Sequence, residues 1–82
     1  MEQFMRKFEQ LNGKMAIISL EHYLFGKQVF KVDKLKTIND KRIGVILKGQ
    51  EKYVSKQDAK TSIQNGVHII SDGKLKIIVN EL

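Results

Sequence analysis

His22 and His68 are the only histidines of this 82-residue chain, and cysteine is absent. A metal site would need at least one further histidine, cysteine or suitably placed carboxylate, and neither histidine sits at recognised ligand spacing. General acid and base work needs two titratable groups converging in a cleft, whereas the nine acids are scattered singly at turns and helix ends, where capping and solubility account for them. Gly44 and Gly49 have the separation of a phosphate loop but lack the lysine and hydroxyl that should follow. His22, beside Glu21 and Tyr23, reads as a solvated turn residue, and His68 as a histidine at the edge of the core. The expectation is a protein with no catalytic residue, no metal and no cofactor, hence no enzyme.

Basic residues are the constellation that remains. Lys31, Lys34 and Lys36 cluster around a break in strand periodicity, Lys41 and Arg42 open a strand, Lys52 and Lys56 flank Tyr53, and Lys74 and Lys76 project from a hairpin. With Tyr23, Phe25 and Tyr53 interleaved, this pattern suits a nucleic-acid single strand, in which rings stack on bases while lysines follow the backbone. A net charge of +6 agrees with an anionic partner. The competing reading is a solubilising surface, because only two arginines are present and arginine is the better phosphate and base ligand.

Elements must position these side chains. Phe4, Met5, Phe8 and Leu11 recur at helical spacing, which predicts an amphipathic helix over residues 2–12, ended by Gly13 in a left-handed conformation. From Lys14 the period becomes that of strands. Met15 to Leu20 is almost wholly apolar, as in a strand covered on both faces. Phe30 and Val32 share a face, and the phase slips at Asp33-Lys34, which predicts a bulge, bend or turn. Ile43, Val45 and Leu47 define the inward face of a strand over 42–48, followed by a Gly49-Gln50 turn into 52–55. Residues 57–66 read either as one helical turn capped by Asp58, the favoured reading, or as a short strand at 61–63. Phe8, Ile18, Phe30, Val45, Leu47, Ile70 and Leu75 are the expected core.

The closing stretch "VHIISDGKLKIIV", residues 67–79, reads as a β-hairpin. Asp72-Gly73 is the dipeptide favoured in a two-residue type I′ turn. That turn pairs Ser71 with Lys74, Ile70 with Leu75, Ile69 with Lys76, His68 with Ile77 and Val67 with Ile78. One face, carrying His68, Ile70, Leu75 and Ile77, belongs to the core. The other is apolar at its base and basic at its tip.

Composition predicts one domain, residues 1–82, mostly β with α: the N-terminal helix, then a small, strongly bent barrel over 14–79 ending in the hairpin. No targeting or membrane-spanning segment is evident, so the expectation is a cytoplasmic protein without membrane association. The helix stripe and exposed strand edges predict self-association, most simply as a dimer.

The element order, together with "MEQFMRKFEQL", "FGKQVFKVD" and "IGVILKGQEKYVSKQDA", resembles the Sm-like RNA-binding proteins over roughly residues 2–64. The resemblance implies an SH3-like or Sm-like barrel, assembly into a ring, and RNA held by Asp33 and residues 53–57. The chain departs from the bacterial members in having no histidine after Lys56 and in its final hairpin. Two functions are carried forward. One is binding of single-stranded nucleic acid, RNA favoured, through Lys31, Lys34, Lys36, Lys52, Tyr53, Lys56, Lys74 and Lys76. The alternative is a protein-protein interaction module, a small adaptor or inhibitor of the kind found in bacteria and mobile elements, using the hairpin or the helix.

Overall fold

The structure, a computed structural model, describes all residues from Met1 to Leu82. One helix, α1 (Glu2–Glu9), precedes eight strands: β1 (Ala16–His22), β2 (Gly26–Val32), β3 (Lys36–Asn39), β4 (Arg42–Leu47), β5 (Gln50–Ser55), β6 (Lys60–Gln64), β7 (Val67–Ser71) and β8 (Leu75–Glu81). All pairings are antiparallel. They form a five-stranded sheet in the order β2-β1-β8-β7-β6 and a three-stranded sheet in the order β3-β4-β5.

The amphipathic stripe behaves as its spacing predicts, since Phe4, Met5, Phe8 and Leu11 are all buried. Regular α-helix stops at Glu9, and tighter turns, Leu11 N–H to Phe8 O and Asn12 N–H to Glu9 O, carry the chain to Gly13. Gly13 has φ +82°, and its N–H donates to Leu35 O while Leu35 N–H donates to Lys14 O. This two-bond stitch ties the end of the helix to the Asp33-Lys34 bend, where the chain leaves the five-stranded sheet and enters the three-stranded one. The phase slip in the sequence is therefore the passage between sheets, and Leu35 fills the corner, fully buried.

Ile18, Ile43, Val45, Ile70, Ile77 and Val79 meet between the sheets, and the helix stripe closes the same core. Of the expected core, Phe8, Ile18, Val45, Leu47 and Ile70 are buried, whereas Phe30 and Leu75 pack against its edge half-buried. Because the stripe is consumed within the chain, it no longer argues for self-association. The free edges of β2, β6, β3 and β5 remain.

Four local expectations are corrected. Residues 57–66 do not form the helical turn running on from Asp58: Asp58 N–H to Ser55 O and Ala59 N–H to Lys56 O close a tight turn before it, and the alternative strand is the one found, as β6, followed by a two-residue turn at Asn65-Gly66 whose φ values of +52° and +80° are those a type I′ turn requires. Lys48-Gly49, at +51° and +78°, forms the second such turn, so β5 starts at Gln50, earlier than expected. The Asp72-Gly73 turn is longer than two residues. Asp72 Oδ1 accepts from the N–H groups of Lys74 and Leu75, both at 2.9 Å, and only Gly73 there has positive φ. The side chain thus supplies an acceptor that favours a wider loop. Ser71 pairs with Lys76, Ile70 with Ile77, Ile69 with Ile78 and His68 with Val79. The slip is two residues, so each side chain keeps its face. Lastly, β1 is covered on one face only: Ala16, Ile18 and Leu20 are buried, while Ile17 and Ser19 on the other face are not.

Candidate nucleic-acid interface

The eight basic and aromatic positions singled out in the sequence do not form one patch. Lys31 stands opposite Ile17 on the outer face of the five-stranded sheet, Lys34 lies in the bend, and Lys36 stands opposite Ile46 on the outer face of the three-stranded sheet. Lys56 lies beside Met1 and Lys41, near the start of the helix. Tyr53 is 44 % exposed, but its ring carries the Arg42 guanidinium 5.0 Å from the centroid. Arg42 is in turn committed to Glu51 at 2.6 Å and Asp40 at 3.6 Å. That face of Tyr53 is already occupied.

Lys74 and Lys76 are brought together with residues from a second hairpin. The β1–β2 turn and the β7–β8 turn lie side by side, joined by a hydrogen bond from Tyr23 N–H to Lys74 O at 3.0 Å. Between them runs an open cleft of about 370 Å³, lined by Glu21, His22, Tyr23, Lys27, Lys74 and Lys76 among others. Tyr23 in its wall opens the turn Tyr23-Leu24-Phe25, whose residues are 64 %, 66 % and 80 % exposed respectively. No other large apolar residues of the chain are so exposed, and they are consecutive.

The turn is ordered by His22. Its Nδ1 accepts a hydrogen bond from Leu24 N–H at 3.1 Å, which places the proton of the neutral ring on Nε2. Its ring stacks on Phe25, with centroids 4.7 Å apart and planes 25° from parallel, and lies 5.0 Å from the Tyr23 ring. His22 is thus a spacer that holds two rings at the surface, a role that its type and position in the sequence did not signal. Phe25 keeps its other side free. Behind it, a second cleft of about 380 Å³ is lined by Leu20, His22, Phe25, Gln28, Lys52 and Leu75, so Lys52 joins this end of the molecule and parts from Tyr53.

Four lysines, Lys27, Lys52, Lys74 and Lys76, therefore surround the aromatic turn, with Glu21 as the acid lining the first cleft. Glu21 stands between Lys27 and Lys76 in the strand register. Asp72, in the β7–β8 turn, is a second acid at this end of the molecule. The Leu75 and Lys74 N–H groups hold its carboxyl below the usual range, with help from the Lys74 charge, and occupy it there. The surface left over is cationic and aromatic, with the capacity to stack a base and to neutralise phosphates.

No group of three or more His, Asp or Glu side chains is arranged to hold a metal ion. No helix is long and apolar enough to cross a membrane. Comparison with protein-family models, with curated proteins and with solved structures finds no match to this chain.

Proposed function

We propose that this chain is a small, non-catalytic cytoplasmic protein that binds single-stranded nucleic acid, RNA favoured, at the paired hairpin ends. The observation that carries this reading is the exposure of Tyr23 and Phe25 within the ring of Lys27, Lys52, Lys74 and Lys76. Bases stack on exposed rings at about 1–3 kcal/mol each, irrespective of sequence, and lysines add affinity that falls with salt. The two sheets, linked through the Asp33-Lys34 bend, are read as one strongly curled Sm-like barrel, with ring assembly the oligomer that resemblance implies. In this reading Lys74 and Lys76 remain site residues, Lys52 enters through its cleft, and His22, Tyr23, Phe25 and Lys27 are added. Lys31, Lys34, Lys36, Tyr53 and Lys56 serve as secondary backbone contacts along a strand that leaves the hairpin end.

One observation favours the alternative of a protein partner at the same place. Leu24 is as exposed as Tyr23, and a leucine stacks no base. The two readings separate by titrating fluorescent RNA and DNA oligonucleotides at two salt concentrations. Tyr23→Ala with Phe25→Ala should weaken binding at both. Lys74→Ala with Lys76→Ala should weaken it at low salt and reduce the slope of log K against log salt by about 1.4, from a contribution near 0.7 per neutralised phosphate on single strands. A wild-type chain that binds no oligonucleotide at low salt refutes the nucleic-acid reading.

A further inference from the structure

The uncovered face of the five-stranded sheet has apolar rows that the hairpin-end site does not use, although the two surfaces share Lys27 and Lys76. Strand register sets its side chains in rows. The middle row runs Val29, Ser19, Ile78, Ile69, Ser62 across all five strands, and Ile17 and Val67 flank it in the next row. A solvated sheet face normally alternates polar residues with the buried ones. Here Val29 is 58 % exposed, and Ile17, Val67, Ile69 and Ile78 are only half-buried, because α1 packs against β3 and β6 and the other sheet lies on the opposite side. Lysines border the apolar centre: Lys31 at one end of its row, and Lys27, Lys76 and Lys60 in the row nearest the hairpin tips, with Glu21 between the first two.

We propose that this face docks a partner protein whose contact patch is apolar at its centre and carboxylate-rich at its rim. Three observations choose that occupant. A base platform would need aromatic rings, and the centre of this face has none: its apolar residues are isoleucine and valine, with Ser19, Ser62 and Asn80 among them. A second copy laid face to face about an axis along β8 would bring Lys76 onto Lys76 and Lys27 onto Lys60, like charges opposed across a desolvating interface. Size decides the role of the rim. Five strands spaced about 4.8 Å apart and the two rows that hold the apolar residues, about 6.8 Å apart, give on the order of 330 Å², well below the roughly 800 Å² per partner of a standard interface, so the lysines must take part.

The test titrates the ¹⁵N-labelled chain with a helical peptide of alternating leucine and glutamate faces, and with its lysine counterpart, while sedimentation follows oligomeric state. The acidic peptide should shift the amides of β1, β2, β7 and β8, bind at least tenfold more weakly to Ile78→Glu, and lose affinity as salt rises. Ile78→Thr, which keeps a strand-forming β-branched side chain, should lower affinity to a smaller extent with the same spectrum as the wild type. Tyr23→Ala with Phe25→Ala should leave peptide binding intact, which separates this surface from the hairpin-end site. Equal binding of both peptides, no binding of the acidic one, shifts confined to the hairpin turns or α1, a dimer that buries the same amides, or an oligonucleotide that shifts the middle-row amides of Ser19, Ile69 and Ile78 would each overturn the proposal.

Discussion

Gly44→Ala tests the packing of the smaller sheet, since alanine normally strengthens a strand by about 0.5–1 kcal/mol relative to glycine. Gly44 is buried at the centre of β4, between Ile38 on β3 and Tyr53 on β5. A Cβ there would stand 2.0 Å from the Lys52 carbonyl oxygen, 2.6 Å from Tyr53 Cα and 2.9 Å from the Lys52 carbonyl carbon. All three are backbone atoms, so no side chain can swing aside. Bringing the closest contact out to even 3.0 Å requires β5 to retreat by about 1 Å. That retreat would stretch the ladder that pairs Ile43 with Val54 and Val45 with Lys52, and would loosen Ile43, Val45 and Val54 in the core. The cost should be roughly 3 kcal/mol, at the top of the range for overpacking, against a total stability of about 5 kcal/mol at the low end for small domains. With a urea slope near 1 kcal/mol/M, the midpoint should fall by about 3 M. Gly49→Ala is the control, with open space around its Cβ and φ +78°; it should lose only about 1–2 kcal/mol, the strain of a left-handed residue. A Gly44→Ala chain within 1 kcal/mol of the wild type would show that β4 and β5 do not approach as described.

Stability should also depend on pH through His68. The residue is 7 % exposed, lies 5.7 Å from the Phe4 ring and 6.1 Å from the Phe8 ring, and has no hydrogen-bond partner of good geometry at either nitrogen. Burial pushes its pKa below the ordinary 6.5, aided by Lys7 and opposed by the Gly66 backbone and Glu81. Between the lowered folded value and 6.5 the unfolded chain binds a proton that the folded chain does not, so stability is full above that range and falls as pH drops through it. Denaturant midpoints between pH 7.5 and 5.5 should decline in the wild type and stay flatter in His68→Phe; equal slopes would refute the assignment. Phe8→Ala, which empties a fully buried site beneath the helix, should cost about 3–5 kcal/mol and release α1, seen as lost helical circular dichroism, and a helix signal that survives would disprove its docking role.

Local chemistry made a good part of this fold legible. The spacing of Phe4, Met5, Phe8 and Leu11 marked the helix face, Gly13 marked a left-handed position, though four residues past the true end of the helix at Glu9, and the slip at Asp33-Lys34 marked the passage between sheets, because helical and strand periods and positive φ are properties of a few neighbouring residues. The faces of the last hairpin were legible for the same reason, and they survived a two-residue error in register because side chains alternate with a period of two. Its true register was not, since the Asp72 carboxylate competes with the two-residue turn that Asp-Gly otherwise favours. Lys60 to Gln64 carries no decisive period of its own, and becomes β6 only because β7 lies beside it across Asn65-Gly66. At the candidate site the sequence showed lysines and aromatic residues but not which of them meet. Tyr53 and Lys52 are adjacent in the chain and point to opposite sides of β5, whereas Tyr23 and Lys74, 51 positions apart, are joined by a hydrogen bond because β1 pairs with β8. Pairing between distant strands depends on the burial of both, and a single sequence read locally holds no term for it; tertiary structure alone brought Lys27, Lys52, Lys74 and Lys76 to the same hairpin ends as Tyr23 and Phe25.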